Sequence, residues 1–311
     1  MIKERTKYLS PSALSCWKND KEEFYIRYLA KDRPIRSPQT QPMSVGSAFD
    51  AYVKAYLYEE IFGIKDSEFA FEKLFPDQVE EHNRDFALSA GAICMEAYRC
   101  SGVLADLLLM LQKSFTEPKF EITISDTVSC NLVGVPLLGK PDLLFHLETE
   151  EGVTPIILDW KVNGYCSKAS PNKGYVVVRD GWVGAGAASK HHKDCIPMVK
   201  NGVMVNIAEP FDFYAPQWAG QLSTYFWLEG EPVGTQAICI IHQLACNKEK
   251  GQIRIADLRG SISREFQEEL FNDYVACWKD VADWQDQRLE VVAGQFSDVG
   301  AASELFRDMC R

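Results

Sequence analysis

The sequence lacks the marks of several large protein classes. It has no apolar run of about 18 residues, the minimum for a membrane-spanning helix, and its charged start has no signal-peptide apolar stretch. None of its ten cysteines forms a C-x-x-C pair, so it offers neither a zinc ribbon nor a disulfide framework. These absences predict a cytoplasmic protein with reduced, mostly buried thiols, no Fe–S cluster and no membrane partner.

The sequence also has no overall excess of basic residues. The 311 residues carry a net charge of −11, which argues against a protein that coats nucleic acid indiscriminately. Residues 161–200 depart from this balance with two acidic and seven basic residues, the basic ones being Lys161, Lys168, Lys173, Arg179, Lys190, Lys193 and Lys200. One basic segment in an acidic protein suits a polyanion contacted at one place, although a solvated loop would explain the same charges.

The chain does have ample apolar material, in two successive patterns. Hydrophobic residues make up 46% of it and aromatic residues 12%, enough for a substantial core. Helical spacing predicts helices that begin at Ser10-Pro11 and that cover 44–62 and 85–113. Short apolar runs between 119 and 162 then predict four strands in an antiparallel meander. The segments after the meander are predicted to be a helix over 215–230, strands over 235–245 and 251–258, and a helix from Ser263 to about Leu289.

This order of elements predicts an α/β fold with α+β character, in which helices flank a central mixed sheet that contains the meander. We expect a helical N-terminal region over 1–115 and a core over 116–262 that is interrupted by an insertion over 163–215. A C-terminal helix and tail over 263–311 would complete a single compact unit.

Two glycine-containing segments resemble nucleotide-binding loops but lack features that nucleotide binding requires. GVPLLGKPDLLF, residues 134–145, has the glycines and lysine of G-x-x-x-x-G-K-[ST], but Pro141 stands where a hydroxyl must bind Mg²⁺. A strand pattern follows it, whereas phosphate binding needs a helix N-terminus. Gly184 and Gly186 belong to a G-x-G-x-x-S segment that no βαβ pattern surrounds. We therefore expect no nucleotide cofactor.

Acidic residues of the meander point to a metal ion. Asp142 begins one predicted strand and Asp159 lies at the end of a later one, so neighbouring strands bring the two carboxylates together. Such carboxylates repel unless a cation lies between them, and an all-oxygen site suits Mg²⁺ or Mn²⁺. Lys161, two residues after Asp159, projects from the same face of its strand. The three side chains are predicted to converge.

These residues also carry a resemblance. Gly139-Lys140-Pro141-Asp142 followed by Asp159-Trp160-Lys161 resembles the signature motifs of the PD-(D/E)XK nuclease superfamily. Gln221 and Tyr225 match the Q-x-x-x-Y motif of its RecB-like branch, and the segment YLSPSALSCWKNDKEEFYIRYL resembles that branch's N-terminal Ser-x-Ser-x-Leu helix. Gly46-Ser-Ala-Phe-Asp50 stands where the family often has G-x-x-x-H. In the absence of a helicase motif, the chain is similar to stand-alone phage-type exonucleases.

The resemblance, which covers residues 8 to 245, implies a restriction-endonuclease-like core with a metal-dependent catalytic site. Asp142 and Asp159, with the backbone carbonyl of Trp160, would ligate Mg²⁺ or Mn²⁺, and Lys161 would position or deprotonate the attacking water.

Two further acidic residues are open to two interpretations. Asp50, in place of the family histidine, is either a metal ligand or a solvated helix residue. Glu121 is either a ligand or an exposed strand residue, and Lys140 either contacts a DNA phosphate or points to solvent. The predicted substrate-binding residues are Gln221, Tyr225, Lys140, Lys168, Lys173, Arg179, Lys190 and Lys193.

The function implied is a deoxyribonuclease, foremost an exonuclease on linear duplex or single-stranded DNA in recombination or repair. It would work in a bacterial or phage-infected cell, with a single-strand annealing or recombination protein as partner or as a homo-oligomer. A flap or single-strand endonuclease and a non-catalytic nucleic-acid-binding protein are the alternatives. The insertion is predicted to grip DNA, unless it is a lid or an oligomer contact, by its charges and its aromatic residues Tyr165, Tyr175, Trp182, Phe211, Phe213 and Tyr214.

Overall fold

The structure is a computed structural model, and it describes residues 6–30, 37–149, 152–163, 165, 177–178, 182–183, 203–206, 210–235, 238–247 and 252–292. Its α-helices are α1 (Pro11–Asn19), α2 (Lys21–Phe24), α3 (Gln41–Phe62), α4 (Phe71–Gln78), α5 (Arg84–Cys100), α6 (Val103–Gln112), α7 (Phe211–Tyr214), α8 (Pro216–Leu228) and α9 (Arg264–Val292). Its strands are β1 (Lys119–Phe120), β2 (Ile124–Cys130), β3 (Val133–Gly139), β4 (Leu143–Thr149), β5 (Gly152–Asn163), β6 (Val177–Val178), β7 (Trp182–Val183), β8 (Val203–Asn206), β9 (Cys239–Asn247) and β10 (Gln252–Gly260).

The predicted mixed sheet is confirmed, and its strand order is β1-β4-β5-β9-β10-β8. Strands β1, β4 and β5 pair antiparallel, β9 joins β5 in parallel, β10 is antiparallel to β9, and β8 is parallel to β10. The expected meander is divided between two sheets, because β2 and β3 form a separate hairpin. Asn131 and Leu132, both at positive φ, form its two-residue turn, as tight hairpins require.

The central sheet is covered on both faces. Helices α3, α5 and α6 pack on one face through a core that includes Phe49, Leu107, Leu158 and Ile240. Helix α8 packs on the other face, where its residues meet side chains of β5, β9 and β10. A third core joins α1, α9 and the β2–β3 hairpin. The alternation of side chains along β5 therefore sends successive residues towards different helices.

Two predicted helices are broken where the backbone demands it. The helix expected over 85–113 is α5 and α6, because Gly102 at φ 88° adopts a left-handed conformation that ends one helix and precedes the next. The first helix begins as predicted, with the Ser10 hydroxyl accepting the Ala13 N–H at 3.2 Å and Pro11 in the first turn. It ends at Asn19, since Asp20 is extended and caps the short helix α2.

Two further expectations concern membranes and thiols. Within the described helices, none combines the length and apolarity that a membrane crossing requires. No disulfide joins the cysteines in the described part of the chain, and Cys94, Cys239, Cys246 and Cys277 are buried there, as expected for structural thiols.

Candidate functional site

Three acidic residues lie in a row at one end of the sheet. Phe120 of β1 pairs with Leu143 of β4, which in turn pairs with Leu158 of β5. The adjoining residues in this row are Glu121, Asp142 and Asp159. The Glu121 N–H donates to the Asp142 carbonyl at 3.2 Å and so extends the pairing by one residue. Glu121 has a φ of 51°, an uncommon value for a non-glycine residue, where the chain leaves β1. Strand register therefore brings the three carboxylates together.

Lys161 and helix α8 approach this row at Asp159. The Lys161 ammonium contacts Oδ2 of Asp159 and donates to Oε1 of Gln221 at 3.0 Å. The Gln221 amide donates to the Tyr225 hydroxyl at 2.7 Å and lies 3.4 Å from Oδ1 of Asp159. Gln221 and Tyr225, one helical turn apart, thus form a connected polar surface with the D-x-K strand.

The position of Tyr225 depends on the absence of a side chain at Gly139. A Cβ there would lie 2.7 Å from the Tyr225 ring and 2.7 Å from Cδ1 of Leu228. Gly139 therefore permits the close approach of β3 to a helix. A backbone hydrogen bond from Lys140 to Tyr225 fixes the same junction.

Helix α3 contributes an acidic and a basic side chain. Asp50 and Lys54 are one turn apart, and Lys54 Nζ lies 2.7 Å from Oδ2 of Asp50. The same ammonium contacts Oε1 of Glu121 and lies 3.6 Å from Oδ1 of Asp142. Lys54 is completely buried. Asp50 also accepts a hydrogen bond from Gln78 at 3.0 Å, so it is not the solvated helix residue that one interpretation expected.

We call this set the carboxylate cluster, and it consists of Asp50, Glu121, Asp142, Asp159, Lys54, Lys140 and Lys161. Oxygens of Asp50, Glu121 and Asp142 lie within 4.8 Å of one another, a spacing at which one cation could contact all three. Glu121 is half-buried and also pairs with Lys140, so it is not an exposed strand residue. The oxygen donors fit Mg²⁺ or Mn²⁺.

The cluster holds more negative charge than its surroundings favour. Burial raises the pKa of Asp159 to about 7, the Asp142 carboxylate adds to this rise, and Lys161 opposes it. Burial likewise raises the pKa of Asp50 to about 6, with Lys54 opposing and Asp142 adding to the rise. Raised carboxyl pKa values are typical of sites that hold a cation or move a proton.

A cleft of about 720 Å³ opens beside the cluster, between α1, α8 and α9. Lys140, Gln221 and Tyr225 line the cleft, and Lys140 and Gln221 also approach Glu121 and Asp159 of the cluster. Polar side chains of α1 and its cap, including Ser10 and Ser12, line another wall. The segments that resemble the Ser-x-Ser-x-Leu and Q-x-x-x-Y motifs therefore face one cavity. The wall formed by α9 is acidic, with Glu269 and Asp273.

A second buried polar group lies on the face of the sheet opposite to the Asp159 side chain. His242 pairs across the strands with Trp160 and with Asp257, so the three share the face covered by α5. The Tyr98 hydroxyl is 2.5 Å from Nδ1 of His242 and accepts from Trp160 Nε1 at 3.3 Å. His242 Nε2 is 3.5 Å from Asp257, whose carboxylate accepts hydrogen bonds from Nε and Nη2 of the Arg259 guanidinium. We call Tyr98, Trp160, His242, Asp257 and Arg259 the histidine network.

The backbone of Trp160 connects the histidine network to the carboxylate cluster. The Trp160 N–H donates to Oδ2 of Asp142 at 3.1 Å, while its ring is held by Tyr98. Burial alone would raise the pKa of Asp257, but the nearby His242 ring and the hydrogen bonds from Arg259 outweigh it and lower the pKa to about 2. A backbone donor thus orients Asp142, and the metal role predicted for the Trp160 carbonyl stays a prediction.

Several predicted substrate contacts fall outside the described residues, namely Lys168, Lys173, Arg179, Lys190 and Lys193. Of the aromatic residues assigned to DNA stacking, Phe211 is wrongly placed, because it is fully buried in the core beneath α8. Phe213 is 75% exposed, and Tyr165 packs edge-on against Phe86.

Sequence reasoning missed Lys54, Gln78 and the histidine network. The signal for the network was present, because His242 and Asp257 interrupt otherwise apolar strand patterns. Lys54 gave no comparable signal, since a lysine one turn after an aspartate is typical of a solvated helix pair.

Comparisons with known proteins add little. The chain matches no protein-family model and no curated protein. Among solved structures, the crystal structure of SSO0001 is similar over 78% of this chain and 79% of that chain, with 11% identity and a TM-score of 0.26. A TM-score this low supports no conclusion about fold or function.

Proposed function

We propose that this chain is a metal-dependent deoxyribonuclease of the PD-(D/E)XK superfamily, RecB-like branch. The observation that supports it best is the row of Glu121, Asp142 and Asp159 at adjacent strand ends, beside the Lys161 ammonium. Carboxylates converging on one end of a sheet, with a lysine at the same place, are the groups that phosphodiester hydrolysis by a hard cation requires. The proposed reaction is the hydrolysis of DNA.

Asp142 and Asp159 would hold Mg²⁺ or Mn²⁺, which when bound polarises the scissile phosphate and lowers the pKa of a water ligand. The Trp160 N–H keeps the Asp142 carboxylate in one orientation. Lys161, between Asp159 and Gln221, donates to the attacking water and offsets the charge of the phosphate. Gln221 and Tyr225 position the substrate strand against these groups.

The cleft offers a path for one DNA strand. Lys140 lines the cleft and is about half exposed, so its ammonium can contact a phosphate as well as Glu121. Ser10 and Ser12 supply hydroxyl donors along the α1 wall. Because α9 supplies Glu269 and Asp273, and α1 supplies Lys18, which pairs with Asp273, we expect the phosphates to follow α1 and Lys140.

An exonuclease on linear duplex or single-stranded DNA, in recombination or repair, is our first assignment. It would act in a bacterial or phage-infected cell, as a homo-oligomer or with a single-strand annealing or recombination protein. A flap or single-strand endonuclease would use the same residues. A non-catalytic DNA-binding protein would keep the cleft without hydrolysis.

One assay separates these functions. The full chain is incubated with end-labelled linear duplex, single strand and closed circle, in Mg²⁺, Mn²⁺ or EDTA. We expect metal-dependent release of short products from linear substrates only. Lys161→Met should reduce the rate by at least about 10²-fold, because loss of one positioned charged hydrogen-bond donor at the reacting groups costs that much or more. Lys73→Met, which removes an exposed lysine paired with Asp66, is the matched control and should keep the wild-type rate.

Cleavage of the closed circle, which has no ends, would show that the protein is an endonuclease and not an exonuclease. Binding of DNA without metal-dependent cleavage of any substrate would refute the nuclease and leave the binding protein. Equal rates for Lys161→Met and Lys73→Met would refute the assigned site.

A further inference from the structure

The Lys54 ammonium lies where the carboxylate cluster would otherwise hold a cation. Its contacts with Asp50, Glu121 and Asp142 are those of a central ion, and the lysine side chain has no exposed surface. Each of the three carboxylates keeps between 18% and 25% of its surface exposed. The lysine is therefore the innermost member of this group.

A metal ion and this ammonium cannot share the position. Mg²⁺ binds oxygen at about 2.1 Å, so an ion held by Asp50 and Glu121 would lie too close to Nζ of Lys54 and would repel its charge. Withdrawal of Lys54 is unfavourable, because its side chain is fully buried and would lose its contacts with three carboxylates.

Further contacts engage other oxygens of these carboxylates. Oε2 of Glu121 contacts the Lys140 ammonium, and Oδ2 of Asp142 accepts the Trp160 N–H. Oδ2 of Asp50 is shared by Lys54 and Gln78. Asp50 and Glu121 thus already hold a cation between them, whereas Oδ1 of Asp159 has the Gln221 amide at 3.4 Å, a long contact that leaves this oxygen open to an ion.

The charge balance favours one divalent ion. When all groups are ionised, four carboxylates face three ammonium groups, so the cluster carries one net negative charge. One divalent ion together with one phosphodiester anion would bring the total to zero. A second divalent ion would leave two uncompensated positive charges in a largely buried site.

We propose that Lys54 takes the place of a second divalent ion, so that the site binds one ion at Asp142 and Asp159 while Asp50 and Glu121 hold the lysine. The inference rests on the proposed function for the identity of the site. It adds the number of ions, and it removes Asp50 and Glu121 from the ligand set that the resemblance implied.

Mn²⁺ counting tests the proposal without reference to activity. Bound Mn²⁺ per full chain is measured from the electron paramagnetic resonance signal of the free ion and by calorimetry. We expect one ion in the wild type and two in Lys54→Met, because methionine leaves the three carboxylates without their cation. Lys54→Met combined with Glu121→Gln should return the count to one. Lys73→Met is the matched control and should bind as the wild type does.

The change in count between Lys54→Met and wild type decides the inference. No change, or two ions in the wild type, would overturn it. If Lys54→Met yields no folded protein, Asp50→Asn decides instead: one ion, bound within about threefold of the wild-type affinity, supports the role of Lys54, and loss of that ion overturns it.

Failure of the nuclease proposal gives a different result. A protein that gains one Mn²⁺ on Lys54→Met but cleaves no DNA supports the role of Lys54 and refutes the nuclease. A nuclease whose wild type binds two ions refutes only the role of Lys54.

Discussion

The carboxylate cluster and the histidine network meet at neighbouring residues of β5, Asp159 and Trp160. Their buried carboxylates have pKa shifts in opposite directions. In the network, Asp257 faces one histidine and a guanidinium, and its pKa falls to about 2. In the cluster, Asp159 faces a second carboxylate as well as a lysine, and its pKa rises to about 7. Both aspartates are almost completely buried.

Buried carboxylates that serve the fold differ from those that serve a site in how their charge is compensated. A carboxylate matched by its own donors is stable when ionised and needs no ligand. A carboxylate held beside another lowers the stability of the fold, and such an arrangement is typical of sites that bind or react. By this criterion the histidine network stabilises the fold, and the carboxylate cluster is the candidate for binding or catalysis.

The largest effect that would test this comparison comes from the same substitution at both aspartates. Asp257→Asn should lower the free energy of unfolding by about 3 kcal/mol, because it leaves the Arg259 charge without its buried partner. Asp159→Asn should raise it by about 1 kcal/mol, because it removes a charge that burial and Asp142 disfavour. Urea unfolding at pH 7.5 measures both. A loss of similar size at the two positions would show that the cluster is as well matched as the network.

The pH dependence of stability should separate the two regions next. Asp159 and Asp50 bind protons more tightly in the folded than in the unfolded chain, so their contribution to stability falls as pH rises from about 4 to about 7. Asp257 contributes stability above about pH 4, and this is lost as pH falls towards 2. We expect changes on the order of 1 to 3 kcal/mol in each window.

Urea midpoints between pH 2.5 and 8 would show both changes. The fall above pH 4 should shrink in Asp159→Asn, and the fall below pH 4 should shrink in Asp257→Asn. An unchanged wild-type profile in either variant would contradict the assignment of that window.

A smaller effect concerns the junction of β3 with α8. Gly139→Ala should cost about 1 to 3 kcal/mol, because the new Cβ meets Tyr225 and Leu228 at 2.7 Å. The control is Gly46→Ala in α3, where nothing lies within 4 Å and the gain in helix propensity should stabilise by up to about 1 kcal/mol. Equal unfolding energies for the two variants would show that α8 yields to the added methyl group.

The convergence of Asp142 with Asp159 could be predicted from the sequence, because each carboxylate adjoins an apolar run that reads as a strand. Gln221 and Tyr225 could be placed on one helix face for the same kind of reason, their spacing of one turn. Such local patterns decide which side chains share a strand end or a helix face.

Long-range partners could not be predicted in this way. Lys54 is buried because Glu121, 67 residues away, extends from the end of β1 to meet its ammonium. The separation of the β2–β3 hairpin from the main sheet likewise depends on packing against α1 and α9, which lie far off in the sequence. Helix spacing and strand alternation contain no information on such contacts.

Asp142→Asn, measured in two ways, tests most directly whether the carboxylate cluster is the metal-dependent site of DNA hydrolysis. We expect it to reduce Mg²⁺-dependent hydrolysis of linear DNA by at least about 10³-fold, because it removes one of the two carboxylates that we propose bind the cation. We also expect its unfolding free energy to stay at the wild-type value or to rise, since a like charge beside Asp159 and Asp50 is gone. Retained hydrolysis in a folded Asp142→Asn protein would contradict the account.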